Sequence, residues 1–476
     1  MKNQCKQLSL FETFNECNVL LLNDKPKFLQ LLDEYLDLKS LIPFSFYTSY
    51  YNALGCHRKY SLWSMLSIFL LQKIFGIPTI ALLRIFLQFS KELREFCGIE
   101  SVPDDAQFTR FKQDFVPQLE EMFHELVDLT EPICERIDKN LASMLIYDTT
   151  GIETYVAENN DKFLNKIIRQ VKASNKDKSN DHIHNIAYSR MPKVSSVNDE
   201  IRRMYANGKF CYAYKFGILT NGLGIVRDIT CFDRKFKVEN PELELEVMED
   251  DPENEKTVDD SKSLKPVISN FLALHPKIKP EVFLGDAAFD TYKIYPFLLK
   301  ECHFKKAFIP LRKSPKSEDI ADPAFNESGW PVCPRDATKA FKFKGINYDK
   351  TRTRLKFICP DTHYKGKNPV CYCQNPCTPS REGRTVNVPI NRDLRMYPGT
   401  VRDTDSWSSV YKNRAVIERT INHFKEPMGC GNPKTRNLAT IKSDMLLAGI
   451  TQLITVILAD KMNDYELIRS LKPLIA

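Results

Sequence analysis

The sequence is short of several features that would narrow its class at once. Fourteen cysteines in 476 residues fall far below the density of a disulfide-stapled scaffold. They read as free or metal-bound thiols of a reducing compartment. The first ten residues are polar and hold no apolar signal core. The most apolar stretch, 445–459, is too short to span a bilayer and carries Thr451, Gln452 and Thr455. No internal repeat is visible, which sets solenoids aside. Charge of one sign is also scarce: 68 basic against 61 acidic side chains leave only +7. That balance suits nucleic acid without pointing to it. What is present is apolar residue, 43% of the chain, enough to exclude global disorder. The length suggests roughly two to four structural units.

Residues 1–135 read as a helical domain. The stretch 61–75 is apolar without strand alternation, and Gly76-Ile77-Pro78 ends it. Thr79 opens a second helix to Phe89, and Pro103-Asp104-Asp105 caps a third that ends near Phe115. Helix, tight turn, helix is the outline of a DNA-binding helix-turn-helix, and equally of a packing or dimerisation bundle. The second helix offers only Arg84 as a long polar reader. The third offers Gln107, Thr109, Arg110, Lys112 and Gln113, so Arg110 and Lys112 are its candidate DNA contacts.

From Ser143 the pattern becomes mixed α/β. Residues 144–147 form a short apolar run that ends on Asp148, and 282–285 form another that ends on Asp286. Residues 210–219 and 224–231 flank Asn221-Gly222 as a hairpin. The polar segment 156–209 reads as a loop-rich excursion. Residues 239–260, with eleven acids and one lysine, read as a solvated surface segment. Helices are expected over 264–274, 292–299, 404–424 and 440–459, with a strand over 306–311. Strands followed by strand–helix alternation argue for a mixed sheet flanked by helices, built from 136–311 and 396–465 with a tail at 466–476.

Aspartates at the carboxyl ends of strands lie where ligands collect in open α/β sheets, although turn-forming Asp is common there. A third acid comes from the segment 411–425. Tyr411, Arg414, Glu418 and Lys425 have offsets of 0, 3, 7 and 14. At about 100° per residue they share roughly 60° of one helical face. The plainer reading of that face is an exposed amphipathic surface with an Arg414–Glu418 salt bridge. Asp290 and Glu153 are neighbours that compete for a ligand role, and Asp233 is a further alternative.

The spacing Tyr-x2-Arg-x3-Glu-x6-Lys, after Asp148 in Tyr-Asp-Thr-Thr-Gly and Asp286 in Leu-Gly-Asp-Ala-Ala-Phe-Asp, resembles the signature of bacterial insertion-sequence transposases with an Asp-Asp-Glu active site. Residues 62–75, Gly76-Ile77-Pro78 and Phe96-Cys97-Gly98 resemble the helical domain that precedes the core in that group. The resemblance covers about 33–459. It implies a ribonuclease-H-like α/β core and a cytoplasmic, nucleoid-associated bacterial enzyme. It also implies a metal triad of Asp148, Asp286 and Glu418. Two Mg²⁺ (or Mn²⁺) ions would serve in-line phosphoryl transfer, with Asp148 bridging both. Arg414, Lys425 and Tyr411 would contact DNA near the cut. The implied partner is double-stranded DNA, both element ends and target, bound by a homodimer with no membrane role. Two alternatives stay open: a metal nuclease of the same fold that only hydrolyses, and a non-catalytic DNA-binding descendant.

Residues 312–395 read as an inserted small domain. The stretch 305–395 holds 19 Lys/Arg against 9 Asp/Glu. Arg352, Arg354 and Lys356, interleaved with aromatics, suggest a basic strand pair that tracks a DNA backbone, or a solvated β surface. Cys333, Cys359, Cys373 and Cys377 could supply a structural Zn²⁺ site, with His363 in reserve, although no Cys-x2-Cys knuckle is present. Reduced, partly buried thiols are the plainer reading. Trp330 and Trp407 read as core, with a wedge beside a flipped base as the alternative.

Overall fold

The computed structural model describes residues 26–51, 57–175, 178–206, 209–241, 260–312, 324–326, 329–348, 353–365, 368–390 and 393–475. Most of the acidic segment expected at 239–260 lies outside these residues, as does Arg352.

The first part is helical: α1 Lys27–Tyr35, α2 Phe44–Tyr50, α3 Leu62–Ile74, α4 Ile80–Phe89, α5 Lys91–Phe96, α6 Asp105–Asp114, α7 Val116–Ile137 and α8 Lys139–Ala142. The expected signals act as expected. Ser61 caps α3 by accepting from the Ser64 amide, and Thr79 caps α4 by accepting from the Leu82 amide. Asp104 and Gln107 close a reciprocal capping box on α6. Gly76 ends α3 at φ +64, and a Cβ there would stand 2.3 Å from the Pro427 carbonyl oxygen. Only glycine allows both the turn and that approach.

The sheet follows. Its strands are β1 Met144–Glu153, β2 Val194–Ser195, β3 Asn198–Ala206, β4 Lys209–Thr220, β5 Val226–Cys231, β6 Val282–Leu284 and β7 Lys306–Phe308. The order is β2-β3-β4-β1-β6-β7, with β5 also on β4. β1, β6 and β7 run parallel, while β4 runs antiparallel to β1, β3 and β5. The result is a mixed sheet. β1 does not end at Asp148 as expected. Pairing with β4 carries it on to Glu153, opposite Ala213.

Residues 156–209 correct the sequence reading. They fold into α9 Asp161–Ser174 and α10 Asn180–Arg190 before β2 and β3. Leu164, Ile167, Ile168 and Val171 form a helical stripe inside a charged segment. Val171 packs with Ile183 and Ala187 as a small separate core. Beyond β5 lie α11 Arg234–Glu239, α12 Asp260–Leu274 and the short α13 Ile294–Pro296, which runs on into a wider turn, Phe297–Glu301.

Residues 324–390 supply a second layer of short strands: β8 Val332–Cys333, β9 Asp336–Ala340, β10 Lys342–Tyr348, β11 Thr353–Ile358, β12 Thr362–Lys365, β13 Asn368–Cys371 and β14 Thr385–Pro389. They bury their own core, including Phe341, Leu355, Phe357 and Val388. The segment after it is not one continuous helix. α14 Asp405–Tyr411 passes through a tighter turn, Lys412–Arg414, into α15 Ala415–Lys425.

The last helix, α16 Leu438–Lys461, has 24 residues, longer than the apolar stretch suggested. By length and composition it could cross a membrane, yet 89% of its apolar window is buried inside the protein. It packs on α3, α6, α7 and β5, so one continuous core joins the N-terminal helices to the sheet. A buried ion cluster crosses the same junction. Lys73 of α3 and Lys112 of α6 both reach Asp444 of α16, at 2.8 and 2.7 Å.

Candidate active site

The two aspartates meet through strand register. Ile146 of β1 pairs with Leu284 of β6 in parallel. Asp148 lies two residues further along β1, and Asp286 lies two residues beyond Leu284, past the end of β6, where it caps the turn Ala287–Phe289. The register therefore carries both acids to the same end of two adjacent strands. Asp286 Oδ1 accepts from the Ala288 amide at 2.8 Å, and Asp148 Oδ1 accepts from the Thr149 amide at 2.8 Å. These bonds orient each carboxylate, and Asp148 Oδ2 meets Arg414.

α15 lies against β1 and β4 because Val416, Ile417, Thr420 and Phe424 bury one side of it. That docking turns Arg414 and Glu418 toward the aspartates. The Arg414 guanidinium donates to Asp148 Oδ2 at 3.1 Å and also pairs with Glu418 Oε1. Burial works against its charge, but Asp148, Glu418 and Asp286 outweigh that and hold Arg414 above the ordinary arginine range. All three carboxylates therefore act on one guanidinium. The Tyr411 ring stacks on Trp407 at 4.6 Å. Burial raises its phenol, Arg414 opposes, and Asp286, Glu418 and Asp148 add to the rise. Burial pushes the Lys425 ammonium down, with Asp148 among the groups that oppose the shift. Arg414 thus contacts both Asp148 and Glu418, with Asp286, Tyr411 and Lys425 in electrostatic reach of that group.

The donor set is right in kind for a hard divalent ion, which prefers carboxylate oxygen. Its spacing is not closed. Among the described residues no three His, Cys, Asp or Glu side chains stand close enough to hold one ion. Arg414 occupies the space between Asp148 and Glu418.

The competing acids are accounted for otherwise. Asp290 is buried, takes both arms of Arg395 at 2.9 and 2.7 Å, and accepts from the Tyr295 hydroxyl at 2.7 Å. It pins the end of the inserted segment to the sheet. Asp233 caps α11 by accepting from the Phe236 amide at 2.9 Å. Glu153 lies an odd number of residues from Asp148 along β1, which turns it to the other face.

Among the expected DNA contacts, Arg110 is exposed. Lys112 is a correction. It is 2% exposed and its ammonium is committed to Asp444, so it faces the core and not a partner. The alternation within α6 hides this, because the carboxylate that claims Lys112 lies 332 positions away. Arg354 and Lys356 project from one face of β11, while Leu355 and Phe357 are buried on the other. Trp407 is buried against Phe308 and Tyr411, and Trp330 packs edge-on against Phe357 at 5.7 Å. Both belong to cores.

The expected zinc set of Cys333, Cys359, Cys373 and Cys377 is not brought together as one cluster. Cys359 Sγ instead lies 3.9 Å from Cys371 Sγ, and Cys373 bonds the Asp361 carboxylate. Among the described residues no cysteine forms a disulfide.

Comparison with known proteins adds a sequence match over the helical part. Residues 19–114 match a family model described as Transposase domain (DUF772). No curated protein matches the chain. A solved structure of piggyBac transposase, in a synaptic complex with hairpin DNA, aligns with 95% of this chain and 79% of that chain at 11% identity and TM-score 0.37.

Proposed function

We propose that this protein is a DNA transposase that cuts the ends of its own mobile element and joins them to target DNA at Asp148, Asp286 and Glu418. The observation that supports the reading is the parallel register of Ile146 with Leu284, which carries Asp148 and Asp286 to one end of adjacent strands, with Arg414 paired to both Asp148 and Glu418. The match of residues 19–114 to a transposase domain model supports the same class. The mixed sheet flanked by helices supports a ribonuclease-H-like core.

Asp148, Asp286 and Glu418 would hold the metal. Two divalent ions, when bound, would activate the attacking oxygen and stabilise the leaving one. The rest is the work of the chain. Backbone bonds to Oδ1 hold each aspartate in place. Arg414 offsets part of the charge of Asp148 and Glu418, and a divalent ion held by these acids would compete with it. Once released it is free to take a DNA phosphate, as a planar guanidinium does well. Lys425, half-buried on the same helix, would fix a second phosphate. Tyr411 is held by its stack on Trp407. The basic face at Arg354 and Lys356, and exposed Arg110, extend the reading to DNA away from the cut. A homodimer on DNA follows from the need to process paired ends.

The experiment is strand transfer. A labelled duplex with the DNA that flanks the gene is incubated with Mg²⁺ and a supercoiled plasmid. Joined product supports the transposase reading. Cutting without joining would favour the hydrolysis-only nuclease instead.

A further inference from the structure

A second positive site lies on the same helix as the candidate active site, on a different face. Arg419 and His423 follow Glu418 by one and five positions on α15, so they sit roughly 100° and 140° around the helix from it. Together with Gly224, Thr420 and Arg469 they line a cavity of about 150 Å³. His423 also lines the adjoining recess, where Lys472 joins it.

The charges here are of one sign. Burial pushes His423 below its ordinary range, and Lys472 adds to the shift. Burial pushes Arg469 down as well, and Arg419 adds to that shift. Among the described residues no carboxylate lines either space.

The cavity is also built. Arg469 is anchored by Nε, which donates to the Leu223 carbonyl at 2.8 Å, so its amino groups remain for another acceptor. Gly224 has φ +81, and a Cβ there would stand 2.7 Å from Val416 and 3.5 Å from Arg469 Nε. Glycine is what lets the helix and the arginine close around the space. Like charges held together at a formed cavity, without counter-charge, match an external anion with several acceptor oxygens.

We propose that this cavity, lined by Arg419, His423 and Arg469, with Lys472 in the recess that shares His423, binds a backbone phosphate of the DNA that is processed at Asp148, Asp286 and Glu418. The proposal rests on the transposase reading, and it adds a sequence-independent anchor one helical face away from the chemistry. A strand held there would be gripped by the same helix that presents Glu418, so docking of the DNA and placement of the third carboxylate would be mechanically one event.

The test is equilibrium binding of a fluorescein-labelled duplex of about 30 base pairs and arbitrary sequence, followed by anisotropy across a KCl series. Backbone contacts are sequence-independent, so an arbitrary duplex reports them. The full-length wild type is compared with the Arg419→Gln/Arg469→Gln double variant. Lys472→Gln serves as a second variant, because Lys472 is exposed and its side chain can be shortened without opening the core. The double variant should bind roughly tenfold more weakly near 0.1 M salt, and its slope of log K against log[KCl] should be shallower by roughly 0.9 for each lost contact. Lys472→Gln should shift the slope in the same direction by about half as much. Wild-type affinity and slope in both variants, with the wild type binding DNA, would overturn the phosphate site and leave the transposase reading standing. A wild type that binds no duplex at any salt would overturn the reading itself. If inorganic phosphate raises the melting temperature of the wild type alone while DNA affinity is equal in all three proteins, the cavity takes free phosphate and the DNA assignment falls.

Discussion

Arg414 and Asp148, 266 positions apart in the chain, are ion-paired at 3.1 Å, and the other arm of the same guanidinium holds Glu418. Two of the acids that would hold divalent ions are thus already paired with one cation of the protein itself. Arg414→Gln should remove that competitor. Manganese binding without DNA, measured by calorimetry, should tighten roughly two- to fivefold, in line with ~0.5–1 kcal/mol for a partly exposed pair. DNA cleavage by the same variant should fall, because the phosphate contact is lost as well. Unchanged manganese affinity would show that the pair does not compete with metal.

Asp148→Asn, Asp286→Asn and Glu418→Gln each remove one charge from the site without altering its shape. Each should lower strand transfer by on the order of 10²–10³-fold or more, while binding of the flanking duplex persists. A variant that loses DNA binding in equal measure would mark its residue as a structural contact.

Asp290 separates the site from its surroundings. Its carboxylate is fully enclosed and holds Arg395 through both oxygens. Asp290→Asn should destabilise the protein by roughly 3–5 kcal/mol, because it leaves Arg395 buried without its partner. Urea unfolding reads this directly. Folded Asp290→Asn protein should bind manganese as the wild type does, and a loss of metal affinity there would reopen Asp290 as a ligand.

Acid should loosen the junction between the N-terminal helices and α16. Burial alone would raise the Asp444 carboxyl, but Lys112 and Lys73 outweigh it and bring it down to about 2. A carboxyl depressed in the folded state adds stability that is fully present above its unfolded value of 3.8 and is lost as pH falls toward about 2. The melting temperature should therefore drop between about pH 4 and pH 2, and Asp444→Asn should flatten that dependence while lowering stability at neutral pH. A wild-type profile as flat as that of the variant would contradict the role given to this cluster.

The legible parts of the sequence were those that local chemistry decides. Caps at Ser61, Thr79 and Asp104, the turn at Gly76 and the hairpin at Asn221-Gly222 lie where composition and periodicity place them. Asp148 and Asp286 were visible as acids that end apolar runs. Their placement at one end of adjacent strands was not, because it depends on the pairing of β1 with β6 across more than a hundred intervening residues. α9 and α10 were hidden by charge, since their apolar stripe is narrow and is set among charged residues. Lys112 looked like a surface reader because Asp444, which buries it, is distant in sequence. Arg419 and Arg469 were silent for the same reason: neither forms a motif until the chain end folds back beside α15.

The most direct test of the account is strand transfer by the wild type beside Glu418→Gln, with the labelled flanking duplex, Mg²⁺ and a supercoiled plasmid. The account predicts that the wild type joins the labelled end to the plasmid and that Glu418→Gln binds the duplex but forms no joined product. Full strand transfer by Glu418→Gln would contradict the assignment of the third carboxylate, and a wild type that neither cuts nor joins would contradict the function.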